Sequence, residues 1–165
     1  VVEPNTERAE VARSMGADEV VGPDGLTEAL SARMPAGAEV VIDAVGRLFQ
    51  TAIDVAGNGA RIVLFGMDSN ARPPIKQVAI TERSLTVMGS YISNYTYPEA
   101  IGLLEHGALR LEPMVSTILP LSRVAEGFEM LRSGSATKVV ISVTKKHGSL
   151  DQADRLVHRA MPPAR

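Results

Sequence analysis

Strand-like and helix-like stretches alternate along the first half of this 165-residue chain, and that alternation restricts the fold more than any other feature. Glu39-Val40-Val41-Ile42-Asp43-Ala44-Val45 and Ala60-Arg61-Ile62-Val63-Leu64-Phe65-Gly66 are short β-branched runs of the kind buried on both faces of a sheet. Between them Arg47 to Ala56 reads as a helix and Gly57-Asn58-Gly59 as a turn. The same rhythm starts earlier. An extended Val1-Val2 precedes a helix that Asn5 or Thr6 can cap, with Ala9, Val11, Ala12 and Met15 at three- and four-residue spacing and Gly16 as its stop. Asp18 to Val21 reads as a short strand, Leu26 to Met34 as a helix and Ser84 to Met88 as the last strand of the series. Such alternation implies an α/β fold, a parallel sheet joined by right-handed crossovers.

Past Gly89 the pattern changes. Thr96 to Leu104 predicts a helix with Pro98 in its first turn and Gly107 as its stop. Met114 to Leu119 predicts a strand, Ser122 a cap for a helix that Gly134 closes, and Lys138 to Val143 a final strand. From Lys145 onward the chain is a more polar tail.

Composition removes several classes of function. Seventeen basic against 19 acidic residues give a net charge of -2, which is no electrostatic footprint for nucleic acid. No apolar run approaches the roughly 18 residues of a membrane span. Cysteine is absent, so disulfides, thiolate nucleophiles and Cys-rich zinc sites are all excluded from these residues. His106, His147 and His158 lie too far apart in sequence to form a local metal motif.

The positive signal begins at Glu3, an acid that ends an extended segment and faces a helix. In a dinucleotide-binding fold such an acid hydrogen-bonds the hydroxyls of the adenosine ribose and repels a 2′-phosphate. Gly46 and Gly66, each ending an apolar strand, allow the close backbone approach that a nucleotide across the carboxyl ends of parallel strands needs. A strand-ending glycine by itself is more often a turn residue; with Glu3 the two begin to specify a nucleotide shelf.

The blocks Val2-Glu3-Pro4-Asn5, Met15-Gly16-Ala17-Asp18, Val41 to Gly46, Ala60 to Gly66 and Val87-Met88-Gly89-Ser90 occur in that order. They continue through Tyr97-Pro98-Glu99-Ala100, Leu119-Pro120-Leu121, Leu131 to Gly134 and Lys138-Val139-Val140. Together they resemble the zinc-type medium-chain alcohol and polyol dehydrogenases over roughly residues 1 to 144, and the tract Gly89-Ser90-Tyr91 with Asn94 to Ala100 most resembles the sorbitol and threonine dehydrogenase branch. The resemblance implies a partial NAD-binding Rossmann domain over 1–88, lacking its first strand, then the C-terminal return segment of a GroES-like catalytic domain over 89–144, and a polar tail over 145–165. The first Rossmann strand, its glycine-rich turn and the lobe with the zinc ligands would then lie upstream of Val1. In the intact family zinc acts as a Lewis acid on the alcohol oxygen and hydride passes to the nicotinamide. This chain alone is therefore expected to be inactive.

Carried across by position, the resemblance gives Glu3 the ribose hydroxyls and hence NAD over NADP. It gives Arg8 the adenosine ribose or its phosphate; the alternative is a solvated arginine pairing with Glu7 or Glu10. Val45 and Gly46 would contact the adenosine half, Phe65, Gly66 and Met67 the nicotinamide ribose, and Val87, Met88 and Gly89 the carboxamide, with core packing as the other reading of Met88. Lys138 would reach the pyrophosphate or else be a solvated strand-edge lysine. Tyr91, Asn94 and Tyr97 fall where the family forms subunit contacts and the rim of its substrate cleft.

An NAD- and zinc-dependent oxidation of a small alcohol or polyol by a cytoplasmic homo-oligomer, dimer or tetramer, is the expectation that results. Two other readings stand beside it: a noncatalytic nucleotide-binding or interaction module, and a zinc-free quinone oxidoreductase relative using NADPH. Glu3 disfavours the second. A missing central strand in the 3-2-1-4-5-6 order disfavours the first, because two neighbours would keep unpaired edges.

Overall fold

Three parallel strands, β1 (Ala38–Asp43), β2 (Ala56–Leu64) and β3 (Thr86–Gly89), lie side by side in that order. Parallel neighbours need crossovers, and helices supply them: α3 (Phe49–Val55) joins β1 to β2, and α4 (Val78–Glu82) lies between β2 and β3. The computed structural model describes residues 1–92, 95–109 and 111–143. It divides into two compact units, Pro23–Asn94 and Val1–Gly22 with the described residues from Tyr95 onward.

The core of the first unit forms where α3 meets β2. Ile53 and Ile62 are completely buried there, with Ala52, Ala56, Ala60 and Leu85 around them and Val41, Phe49, Ile80 and Val87 packed against the cluster. Small residues at 52, 56 and 60 let helix and sheet approach, and the two isoleucines fill the space between. Arg83 locks the end of α3. Its guanidinium donates to the carbonyls of Ala56 at 2.8 Å and Ile53 at 2.6 Å, supplying partners to groups that a helix end leaves free. Helix α2 (Leu26–Arg33) precedes β1 in the same unit.

Several expectations need correction. Glu39 to Val45 is not buried on both faces: Val40 and Ile42 are 46% and 61% exposed, because only the face of β1 that carries Val41 packs against the core. The strand also ends two residues early, at Asp43, where the side chain takes over the next backbone donors. Gly57-Asn58-Gly59 is not a turn; β2 runs through it. The glycines are absorbed as an irregularity in the ladder, for Ala38 pairs with Ala56 but Val40 with Arg61.

In the other unit Val2 and Val21 form a single parallel bridge, with Glu3 N–H donating to Val21 O at 3.0 Å. This is less than the short strand expected over Asp18 to Val21. Helix α1 (Thr6–Ser14) connects the two, capped by the Asn5 side chain, which accepts from Arg8 N–H at 2.9 Å. Further on come α5 (Tyr97–Glu105), β4 (Val115–Pro120), α6 (Val124–Ser133) and β5 (Lys138–Ser142), with β4 and β5 paired in parallel. Gly127 lets α6 lie close over Leu119, Val139 and Ile141. Ser122 does not cap this helix. It sits in a 3₁₀ turn, Leu121–Arg123, and Arg123 beyond it pairs with Glu126 instead. The tail over 145–165, with His147 and His158, and Asn94 lie outside the described residues. Among the described residues no helix is long and apolar enough to cross a membrane.

Candidate functional site

Two acids close parallel segments in this protein, and their surroundings differ. Glu3 follows the Val2 bridge and stands before the first turn of α1. Its Oε1 accepts from Asn5 N–H at 2.8 Å and from the Arg8 guanidinium at 2.9 Å. Among the described residues Oε2 takes no hydrogen bond, and the side chain keeps 22% of its surface in solvent. The hydrogen bond from Arg8 holds the carboxyl below its ordinary value; burial opposes it, and the Asn5 amide and the charge of Arg8, each weaker than burial, add to the lowering. Glu3 is thus an anchored, ionised carboxylate with one oxygen free to accept. Arg8 pairs with Glu3, and neither Glu7 nor Glu10 is its partner in an ion pair among the described residues.

Asp43, at the carboxyl end of β1, is buried. Its Oδ1 accepts from the N–H groups of Val45 at 2.9 Å and Gly46 at 2.8 Å, and its Oδ2 from Leu48 N–H at 3.0 Å. Its main-chain carbonyl accepts from Phe65 N–H at 3.0 Å and Gly66 N–H at 2.7 Å. One residue therefore ties down the loop after β1 and the loop after β2. The two loops touch backbone to backbone. A Cβ on Gly66 would stand 2.4 Å from Ala44 C, Val45 C and Gly46 N, and one on Gly46 would stand 2.6 Å from Gly66 C and Met67 N. Gly46 also has φ +89°, a conformation that favours glycine.

Around these loops Val45, Leu48, Phe65 and Met67 project apolar side chains that are 41% to 71% exposed. Exposed apolar groups close together at a strand end mark a surface suited to cover by a ligand or another protein segment. On β3, Val87 packs against the core, whereas Met88 is 44% exposed, so core filling does not account for Met88. Gly89 pairs with Leu64, and Ser90 N–H donates to Leu64 O at 3.0 Å. Lys138 opens β5 opposite Val115 and is exposed.

The structure brings Val45, Gly46, Phe65, Gly66 and Met67 together, and Glu3 with Arg8. The residue that sequence reasoning missed is Asp43. An aspartate directly before a small-residue turn, Ala44-Val45-Gly46, is the signal that could have found it, because such side chains bond the backbone two and three residues on.

No group of three or more His, Asp or Glu among the described residues is placed to hold a metal ion, so these residues do not fit a zinc site. Taken separately, Glu3 in one unit offers an oxygen that a ribose hydroxyl could use, and in the other unit Gly46 and Gly66 leave no Cβ between the two loops.

Residues 1–106 match a family model described as zinc-binding dehydrogenase. Among curated relatives, L-threonine 3-dehydrogenase of Bacillus licheniformis is 24% identical over 147 residues, 85% of this chain and 42% of that protein. Sorbitol dehydrogenase of Mus musculus is 27% identical over 149 residues, 86% of this chain and 41% of that one. Among solved structures, an alcohol dehydrogenase of E. coli CFT073 complexed with NADH superposes with a TM-score of 0.78 at 25% identity, covering 87% of this chain and 44% of that one. The chain spans less than half the length of these proteins.

Proposed function

The chain belongs to the zinc-binding dehydrogenase family, and from that premise we propose that it is the cofactor-binding part of an NAD-dependent, zinc-dependent alcohol or polyol dehydrogenase. The observation that carries this reading is Glu3, fixed through Oε1 with Oε2 left to accept. A carboxylate so placed takes the two ribose hydroxyls of NAD and opposes a 2′-phosphate. NAD supplies the hydride acceptor when bound.

The chain's own residues bind and orient. Arg8 holds Glu3 ionised and stands beside the adenosine ribose. Val45 and Gly46 bed the adenosine half, Phe65, Gly66 and Met67 lie under the nicotinamide ribose, and Val87, Met88 and Gly89 hold the carboxamide. Lys138 neutralises the pyrophosphate. We read 1–88 as part of the Rossmann domain, 89–144 as part of the catalytic domain and 145–165 as a tail, in a cytoplasmic homo-oligomer acting on a small alcohol or polyol. The metal's ligands are supplied by residues other than those described here.

The test is reduction of NAD by the full-length protein with a panel of alcohols, polyols and L-threonine. Reduction of NAD in preference to NADP is expected. Failure to reduce either cofactor with every member of the panel would refute the assignment.

A further inference from the structure

Resting on the reading of the loop after β1 as a cofactor contact, we infer that Asp43 is a positioning residue for NAD, presetting that loop before the cofactor arrives. Asp43 is 4% exposed and cannot itself reach a ligand in solvent. All its hydrogen bonds in this region run inward, to Val45, Gly46 and Leu48 through the side chain and to Phe65 and Gly66 through the carbonyl. Without the carboxylate, three neighbouring N–H groups of one short loop lose their acceptor. They would then turn to water or reopen the close contact between Gly46 and the Gly66-Met67 backbone. A loop that must be ordered by the ligand binds it less tightly than one already set.

The experiment uses the full-length protein and the variants Asp43→Ala and Asp43→Asn. NADH affinity is measured by calorimetry, and steady-state kinetics by NAD reduction. Asp43→Ala is expected to weaken NADH binding about tenfold or more, raising KM for NAD while kcat at saturating NAD and KM for the alcohol stay near wild type. Added formate, which can occupy the vacated carboxylate position, restores binding where chloride at equal ionic strength does not. Asp43→Asn keeps an acceptor for Val45 and Gly46 but sets a donor against Leu48 N–H, so a smaller loss is expected.

Wild-type protein supplies a check that needs no variant. Amide exchange at Val45, Gly46 and Leu48 should be slow before any cofactor is added. Rapid exchange at all three that slows only with NADH would overturn the inference. So would a folded Asp43→Ala protein with wild-type affinity, or one whose kcat falls as far as its affinity and does not respond to formate. A wild-type protein that binds no NADH at all would instead sink the functional reading on which the inference rests.

Discussion

Glu3 and Asp43 are both acids at the ends of parallel segments, yet one is turned outward and the other inward. Among the described residues Glu3 keeps an unengaged oxygen, with 22% of its side-chain surface exposed, whereas both oxygens of buried Asp43 are used on the loop that follows. Being an acid at a strand end therefore does not by itself define a role. The number of internal partners does: an acid with an oxygen to spare is available to a ligand, and one whose oxygens are all taken is part of the scaffold that presents other atoms.

The contrast breaks most visibly at the scaffold. Gly66→Ala forces a Cβ to within 2.4 Å of three backbone atoms of the neighbouring loop, and should cost about 3 kcal/mol of stability by denaturant melt along with most NADH binding. A variant that melts like wild type would show that the loops part freely. Asp43→Ala should follow at about 2 kcal/mol, since three loop donors lose a buried acceptor. A loss below about 0.5 kcal/mol would show that water replaces the carboxylate without penalty.

Glu3→Ala reverses the pattern. A partly exposed ion pair contributes less than about 1 kcal/mol, so the melt should barely move, while NADH affinity falls about tenfold for the loss of hydrogen bonds to a charged group. NADPH should tighten, because Arg8 is released from its partner. A large change in stability with no change in cofactor preference would place Glu3 in the scaffold beside Asp43.

The smallest effect is that of pH. The carboxyl of Glu3 is held below its ordinary value of 4.5, so the stability from its pairing with Arg8 is fully present above that value. It is lost as pH falls through the lowered one. Melts of wild type and Glu3→Ala should differ at neutral pH and converge in acid; a gap that widens in acid would contradict the sign.

Much of this was legible in the sequence. The α/β class, the parallel strands and most helix positions followed from β-branched runs alternating with three- and four-residue periodicity. What was not legible depended on neighbours. Val40 and Ile42 carry the residue types of a strand covered on both sides, and only the packing shows that the core meets the Val41 face alone. Gly57 and Gly59 are turn residues by type, but the ladder takes them in as an irregularity. Ser122 was expected to cap a helix because serine commonly does; the chain enters α6 through a 3₁₀ turn instead. At the site, Glu3 and the two glycines stood out by position, whereas Asp43 hid inside an apolar run that its own side chain terminates.

The most direct measurement is calorimetric titration of the wild-type full-length protein with NADH and, separately, with NADPH. An outward carboxylate at Glu3 predicts tighter binding of NADH by about tenfold or more. Equal affinities, or a preference for NADPH, would contradict the role of Glu3 and with it the assignment of this chain to an NAD-dependent enzyme.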